Sequence, residues 1–239
     1  MDTAHPSPLV IEPSALWPRI GSEHAPWLLD VRRQAAYDQS PHRLATALRC
    51  PPEQVAAFAN QHAPREVVVY CVHGHQVSFE AVRQLRHAGW PAFQLAGGME
   101  GGEAGVDSVD DMARWRAKPL PRMQRREDLG VDGCKPSRWV SSEPPSTDQL
   151  SCSWLIRHWI DPLACFWWVP AEQVHEEARR LDATVFALGE ATPSPQTPLR
   201  DFASLRAAFG LNGWHIRVPE WPSPNSLKGS GLSSGATHE

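Results

Sequence analysis

Nothing in this chain approaches the ~20 consecutive apolar residues that a membrane-spanning helix needs, and its N-terminus has no basic flank leading into an apolar run. Neither a membrane segment nor a leader is expected, and the chain is expected to be cytoplasmic. A charge excess is missing too. Lys and Arg total 23 against 27 Asp and Glu, a formal net charge of -4. The basic surplus that binds phosphate backbones is absent, so nucleic acid is not an expected partner. Cysteine is sparse and odd in number: Cys50, Cys71, Cys134, Cys152 and Cys165 are scattered through 239 residues. A chain of this size does not depend on disulfides, and free thiols are expected. Tyrosine occurs only twice against eleven tryptophans, and Trp139, Trp154, Trp159, Trp167 and Trp168 crowd into one short region. That crowding points to a second core, with the indoles and the Cys152 and Cys165 thiols as packing groups. No internal repeat is present.

What is there alternates. Trp27 to Val31 is a short apolar run ending at a carboxylate, and Val67-Val68-Val69-Tyr70 is β-branched and suits a central parallel strand buried on both faces. Between them Pro51-Pro52-Glu53 opens a helix from Gln54 to Asn60, with Val55, Phe58 and Ala59 at helical spacing. Ser78 is placed to cap a helix in which Phe79, Val82 and Leu85 share a face and Gly89 stops the chain. Ala92 to Leu95 is a further strand. This alternation predicts a parallel α/β sheet flanked by helices over residues 8–118. Residues 119–136 mix charges with Pro119, Pro121, Gly130 and Gly133 without a period, which predicts a linker. From Arg138 the pattern resumes. A capping box at Ser146 to Gln149 opens a helix, and strand and helix patterns follow through Leu188, predicting a smaller α/β unit over 137–212. Residues 213–239 are rich in Pro, Ser and Gly and are expected to form a disordered tail.

The chemistry centres on Cys71. A cysteine at the carboxyl end of a parallel strand, followed by a short glycine-containing loop and a helix, sits where α/β folds hold ligands. Loop amides and the positive helix end favour a thiolate. Such a sulfur can attack a sulfane sulfur, store it as a persulfide and pass it on. The expected site is Cys71 with the loop Val72, His73, Gly74, His75, Gln76, Val77 and Ser78. Gly74 lets the loop turn several amides inward, and His73 and His75 can donate to an oxyanion without either having to shuttle protons. A metal at Cys71, His73 and His75 is not expected, because alternate residues of a tight loop rarely surround one ion. No cofactor is implied.

These residues reach a known family. Tyr70-Cys71-Val72-His73-Gly74-His75, with Leu29-Asp30-Val31-Arg32 before it and Leu95-Ala96-Gly97-Gly98-Met99 after it, resembles the rhodanese domain. The resemblance implies that Cys71 carries sulfur in an amide cradle from Val72 to Val77. It makes Asp30 and Arg32 structural or near-site residues, and it implies a small donor such as thiosulfate and a thiol or cyanide-like acceptor. There are departures. Many rhodaneses have Arg five residues after the cysteine and Ser directly after that. Gln76 and Val77 stand there in this chain, with Ser78 one residue later, so the loop reads as one residue longer. Phosphatases and arsenate reductases of similar fold use longer loops but keep an Arg, so sulfur transfer is expected ahead of oxyanion reduction.

Farther on, Arg138-Trp139-Val140, Cys152 to Arg157, Ile160-Asp161-Pro162 and Val169-Pro170-Ala171 resemble the C-terminal domain of ChrB-type chromate-resistance proteins, some of which carry an N-terminal rhodanese domain. The later His-containing segment of that family is not recognisable here, so this domain reads as truncated and no ligand is expected from it. The expectation is a sulfurtransferase linked to chromate or oxidant stress. Its alternatives are a sensor that signals from Cys71 through the second domain, and an arsenate or chromate reductase.

Overall fold

The computed structural model describes residues 9–188 and 199–220. Its first part runs β1 (Val10–Ile11), α1 (Pro13–Leu16), β2 (Trp27–Asp30), α2 (Gln34–Asp38), β3 (His42–Leu44), β4 (Leu48–Arg49), α3 (Val55–Gln61), β5 (Val67–Tyr70), α4 (Gln76–His87), β6 (Ala92–Leu95) and α5 (Val109–Arg116). Five of these strands form a parallel sheet in the order β1-β6-β5-β2-β4. β5 lies at the centre with all four residues buried, the environment its β-branched run predicts. Side chains alternate across a strand, and β5 divides accordingly. Val67, Val69 and Cys71 join Leu29, Val31, Val82 and Leu85 on one side, while Val68 and Tyr70 join Leu28, Leu95 and Met99 on the other. Because the strands are parallel, Asp30 ends β2 and Cys50, Cys71 and Ala96 follow β4, β5 and β6 along one edge of the sheet.

The segment 119–136 is not a free linker. It contains β7 (Arg122–Gln124), which pairs antiparallel with β3 so that Arg43 faces Met123, and a 3-10 turn at Glu127–Leu129. Leu120, Met123, Leu129 and Val131 are buried, each isolated among charges, which is why no period betrays them. The charges are themselves used in packing. Arg125 Nη1 donates to Tyr37 O at 2.7 Å, and its guanidinium lies 3.9 Å from the centre of the Tyr37 ring.

The second part contributes β8 (Arg138–Ser142), α6 (Thr147–Leu155) continuing into a π turn at Ile156–Ile160, β9 (Cys165–Val169), α7 (Val174–Leu181), β10 (Thr184–Val185) and α8 (Phe202–Ala208). Its strands form a parallel sheet ordered β10-β8-β9. The capping box forms at Ser146 and Gln149 as the sequence predicts. Trp139, Phe166 and Trp168 meet Phe186 edge-on at 5.7 to 6.0 Å, so these indoles are core. Besides a cluster of buried residues that each part keeps to itself, the two parts share a core. One apolar cluster runs from Leu16, Leu28 and Leu44 through Trp139, Ile156 and Trp159 to Phe209, and Thr46 N donates to Trp159 O at 3.1 Å. A three-stranded sheet offers too little surface to cover this many aromatic rings, and the larger unit supplies the remainder.

The expected tail is divided. Trp214 and Ile216 pack against the shared core, and 221–239 lie outside the described residues. No helix among the described residues is long and apolar enough to cross a membrane.

Candidate active site

Cys71 follows β5 directly, and its residue is only 6% exposed. The loop is shorter than the sequence implies. α4 begins at Gln76, with His75 as its N-cap residue and no side-chain cap bond. Gln76, Val77 and Ser78 therefore form the first helical turn rather than loop, and Ser78 is not the cap. The left-handed φ of +78° at Gly74 turns the chain early enough for the helix to start there. Ser78, though a good capping residue by type, serves the thiol instead. It is fully buried, with Oγ 3.2 Å from Cys71 Sγ and 3.1 Å from His75 O. Gln94 Nε2 donates to the same hydroxyl at 3.1 Å. The single hydroxyl proton can point to the carbonyl, or turn to the sulfur once the sulfur is a thiolate.

The loop's carbonyls are tied down on one side. Cys71 O accepts from Met99 N at 3.0 Å and Val72 O from Glu100 N at 2.9 Å. Gly74 O and His75 O accept from Gln94 Nε2 at 2.6 and 3.1 Å. In a trans peptide the following N–H points opposite to the carbonyl, so the amides of Val72, His73, His75 and Gln76 are turned away from these anchors. Among the described residues no backbone N–H from Val72 to Val77 donates to a protein acceptor. Free amides bent by a left-handed residue make a nest for an anion, and two of these are the orphan donors of the first helical turn. Contact with the Gly97-Gly98 turn is close. A Cβ on Gly74 would lie 2.6 Å from Gly98 N, and one on Gly98 2.4 Å from Gly74 N. Arg116 holds that turn from outside through Gly101 O at 2.9 Å and Gly102 O at 3.1 Å.

No guanidinium enters the nest from the position where many rhodaneses carry one. Gln76 is exposed and its amide donates to Glu80 on its own helix, while Val77 packs against the core. Arg32 is committed elsewhere. Its Nη2 lies 2.6 Å from Asp30 Oδ2 and donates to His42 O at 3.0 Å, and Tyr70 donates its hydroxyl to Asp30 at 3.0 Å. This buried group ties β2 to β3 and β5. Burial tends to lower the Arg32 pKa, but its bond to Asp30 and the charges around it leave it raised.

His73 and His75 are both held by partners the sequence did not indicate. His73 Nδ1 donates to Gly102 O at 3.1 Å. His75 Nε2 meets Asp107 Oδ2 at 2.9 Å, and Glu103 Oε2 lies 3.5 Å from its Nδ1. Gln94, Glu103, Asp107 and Arg116 are thus the site residues that sequence reasoning missed. Only Gln94 carried a signal, as a polar residue inside an otherwise apolar central strand. No group of three His, Cys, Asp or Glu side chains among the described residues is arranged to hold a metal ion.

Residues 12–104 match the rhodanese-like domain family, and residues 139–217 match the ChrB C-terminal domain family. Together these matches support a sulfurtransferase-like or chromate-resistance-associated role. Similar solved structures include a full-length protein from Lactobacillus plantarum, 25% identical over 41% of this chain and 71% of that one with a TM-score of 0.32. A rhodanese homologue from Thermus thermophilus is 25% identical over 32% of this chain and 81% of that one, with a TM-score of 0.27. A rhodanese-like domain from an Anabaena protein is 26% identical over 42% and 66%, with a TM-score of 0.31. No curated protein matches the chain.

Proposed function

We propose that this chain, which joins a rhodanese-like domain to a ChrB C-terminal domain, is a sulfurtransferase that forms a persulfide on Cys71 and serves chromate or oxidant resistance. The observation that carries this reading is the set of unpaired amides from Val72 to Val77 beside a thiol that Ser78 can hydrogen-bond. With thiosulfate as donor, the Cys71 thiolate attacks the outer sulfur. The new Sγ–S bond forms, the sulfur–sulfur bond of thiosulfate breaks, and sulfite leaves with that electron pair. The persulfide anion then lies among amides able to stabilise it. A thiol or cyanide-like acceptor next takes the outer sulfur and returns Cys71 to its thiolate, which is ping-pong covalent catalysis. Arsenate or chromate reduction is less favoured, because a cradle of neutral amides lacks the guanidinium suited to a dianion. The test is intact-mass measurement after incubation with thiosulfate. One added sulfur, released by a thiol, is expected, and an unchanged mass contradicts the proposal.

A second reading, a sensor that signals from Cys71 to the second domain, is favoured by one feature. Tyr70 and Met99, which flank the cysteine in sequence and in hydrogen bonding, both belong to the core shared by the two parts. That reading requires a Cys71-dependent response to oxidant with negligible turnover, and sustained sulfur transfer without any such response dismisses it.

A further inference from the structure

Asp107 lies beyond residue 104, where the rhodanese-like match ends, and its carboxylate is fixed from two sides. Oδ2 accepts from Glu103 N at 2.7 Å and faces His75 Nε2 at 2.9 Å. The Glu103 N–H foremost, and then His75, hold the Asp107 carboxyl below the usual carboxylate range. A carboxyl depressed in this way stabilises the fold above its ordinary value of ~3.9, and the contribution is lost only as pH falls through the lower folded value. The contact therefore stands throughout the neutral range. With an ionised Asp107 accepting, His75 donates from Nε2, and in a neutral ring the lone pair is then on Nδ1. The other titratable groups facing this ring are Glu103, 3.5 Å from Nδ1, and His73, whose ring centre is 6.1 Å away. A carboxylate that fixes one nitrogen leaves the other to take a proton, as a general base must, and Glu103 beside that second nitrogen stabilises with Asp107 the imidazolium that results.

We infer that His75 is the base that deprotonates a thiol acceptor and that Asp107 is its positioning residue, an inference resting on the sulfur-transfer reading above. The acceptor class is a neutral thiol of ordinary acidity, near ~8.5, which arrives mostly protonated at neutral pH. His75 Nδ1 takes the thiol proton, and the resulting thiolate attacks the outer sulfur of the Cys71 persulfide, which takes up a proton from solvent as it reacts. A sulfur–sulfur bond to the acceptor forms, the bond to Cys71 Sγ breaks, and its electron pair returns to Cys71 as thiolate. The acceptor leaves as a protonated persulfide, and the imidazolium gives its proton to solvent. No oxidant or reductant is required.

The test uses the full chain loaded with sulfur from thiosulfate and freed of excess donor, with discharge followed by intact mass. Asp107→Asn and His75→Gln are expected to slow discharge to 2-mercaptoethanol by about tenfold or more, the lower part of the range for lost acid–base catalysis. Discharge to sulfite, which at mildly alkaline pH has no proton to lose, is expected to slow by less than about twofold. Equal slowing with both acceptors overturns the base assignment alone. Failure of the wild type to load sulfur overturns the parent reading and this inference with it.

Discussion

A Cys71→Ser chain is expected to gain no sulfur from thiosulfate under conditions that load the wild type. Serine keeps the shape of the loop but offers an alcohol in place of a thiolate, and the remaining cysteines are poor substitutes for separate physical reasons. Cys50 and Cys152 are buried, and burial is the main cause that pushes the Cys50 thiol up to about 12 and the Cys152 thiol higher still, so both stay protonated. Cys134 is exposed, yet burial of its thiol group and the neighbouring Asp132 raise it as well, and the same aspartate occupies its backbone N–H at 2.8 Å. Cys165 is exposed, but its amide donates to Ser137 O at 2.8 Å. Among the cysteines only Cys71 opens a run of unpaired amides. Intact mass of the variant beside the wild type checks this, and an adduct of equal yield on both proteins contradicts it.

The second large effect is expected at a residue that never touches substrate. Gly98 has φ +58°, a conformation costing other residues about 1–2 kcal/mol. A Cβ there would lie 2.4 Å from Gly74 N and 2.7 Å from both Cys71 O and Val72 O. These are backbone atoms that cannot swing aside, so overpacking adds about 1–3 kcal/mol and the shift falls on the anchors of the amide nest. Gly98→Ala should lower the urea midpoint and slow sulfur loading by about tenfold or more, as small displacements at a reacting centre do. Gly89→Ala supplies the comparison. Gly89 also has a positive φ, +84°, but a Cβ there meets nothing within 4 Å. It should lose stability while loading within about twofold of the wild type, by the same positional argument. Equal loss of loading in both variants would mean that global stability, not the Gly74–Gly98 contact, governs the site.

The legible parts of the sequence were those with local causes. Val67 to Tyr70 announced a central strand because β-branched residues buried on both faces leave no other pattern, and a cysteine at its carboxyl end marked the candidate site. The Ser146 box was legible because both its partners lie within one turn. Ser78 was misplaced because its partners, Cys71 and Gln94, come from two strands. The Asp107 contact spans 32 residues and joins two loops, so no spacing rule could reveal it. The supposed linker concealed β7 because a three-residue edge strand, followed by an arginine packed over Tyr37, carries neither period nor apolar run. The shared core was hidden for a related reason. Apolar positions show that a face is buried, but not against which neighbour.

The most direct measurement is to find where the sulfur sits. Thiosulfate-treated wild-type protein would be alkylated, digested and mapped by mass. The extra sulfur is predicted on the peptide that contains Cys71, with the Cys134 and Cys165 peptides unchanged. Sulfur on either of those two with Cys71 unmodified would contradict the account.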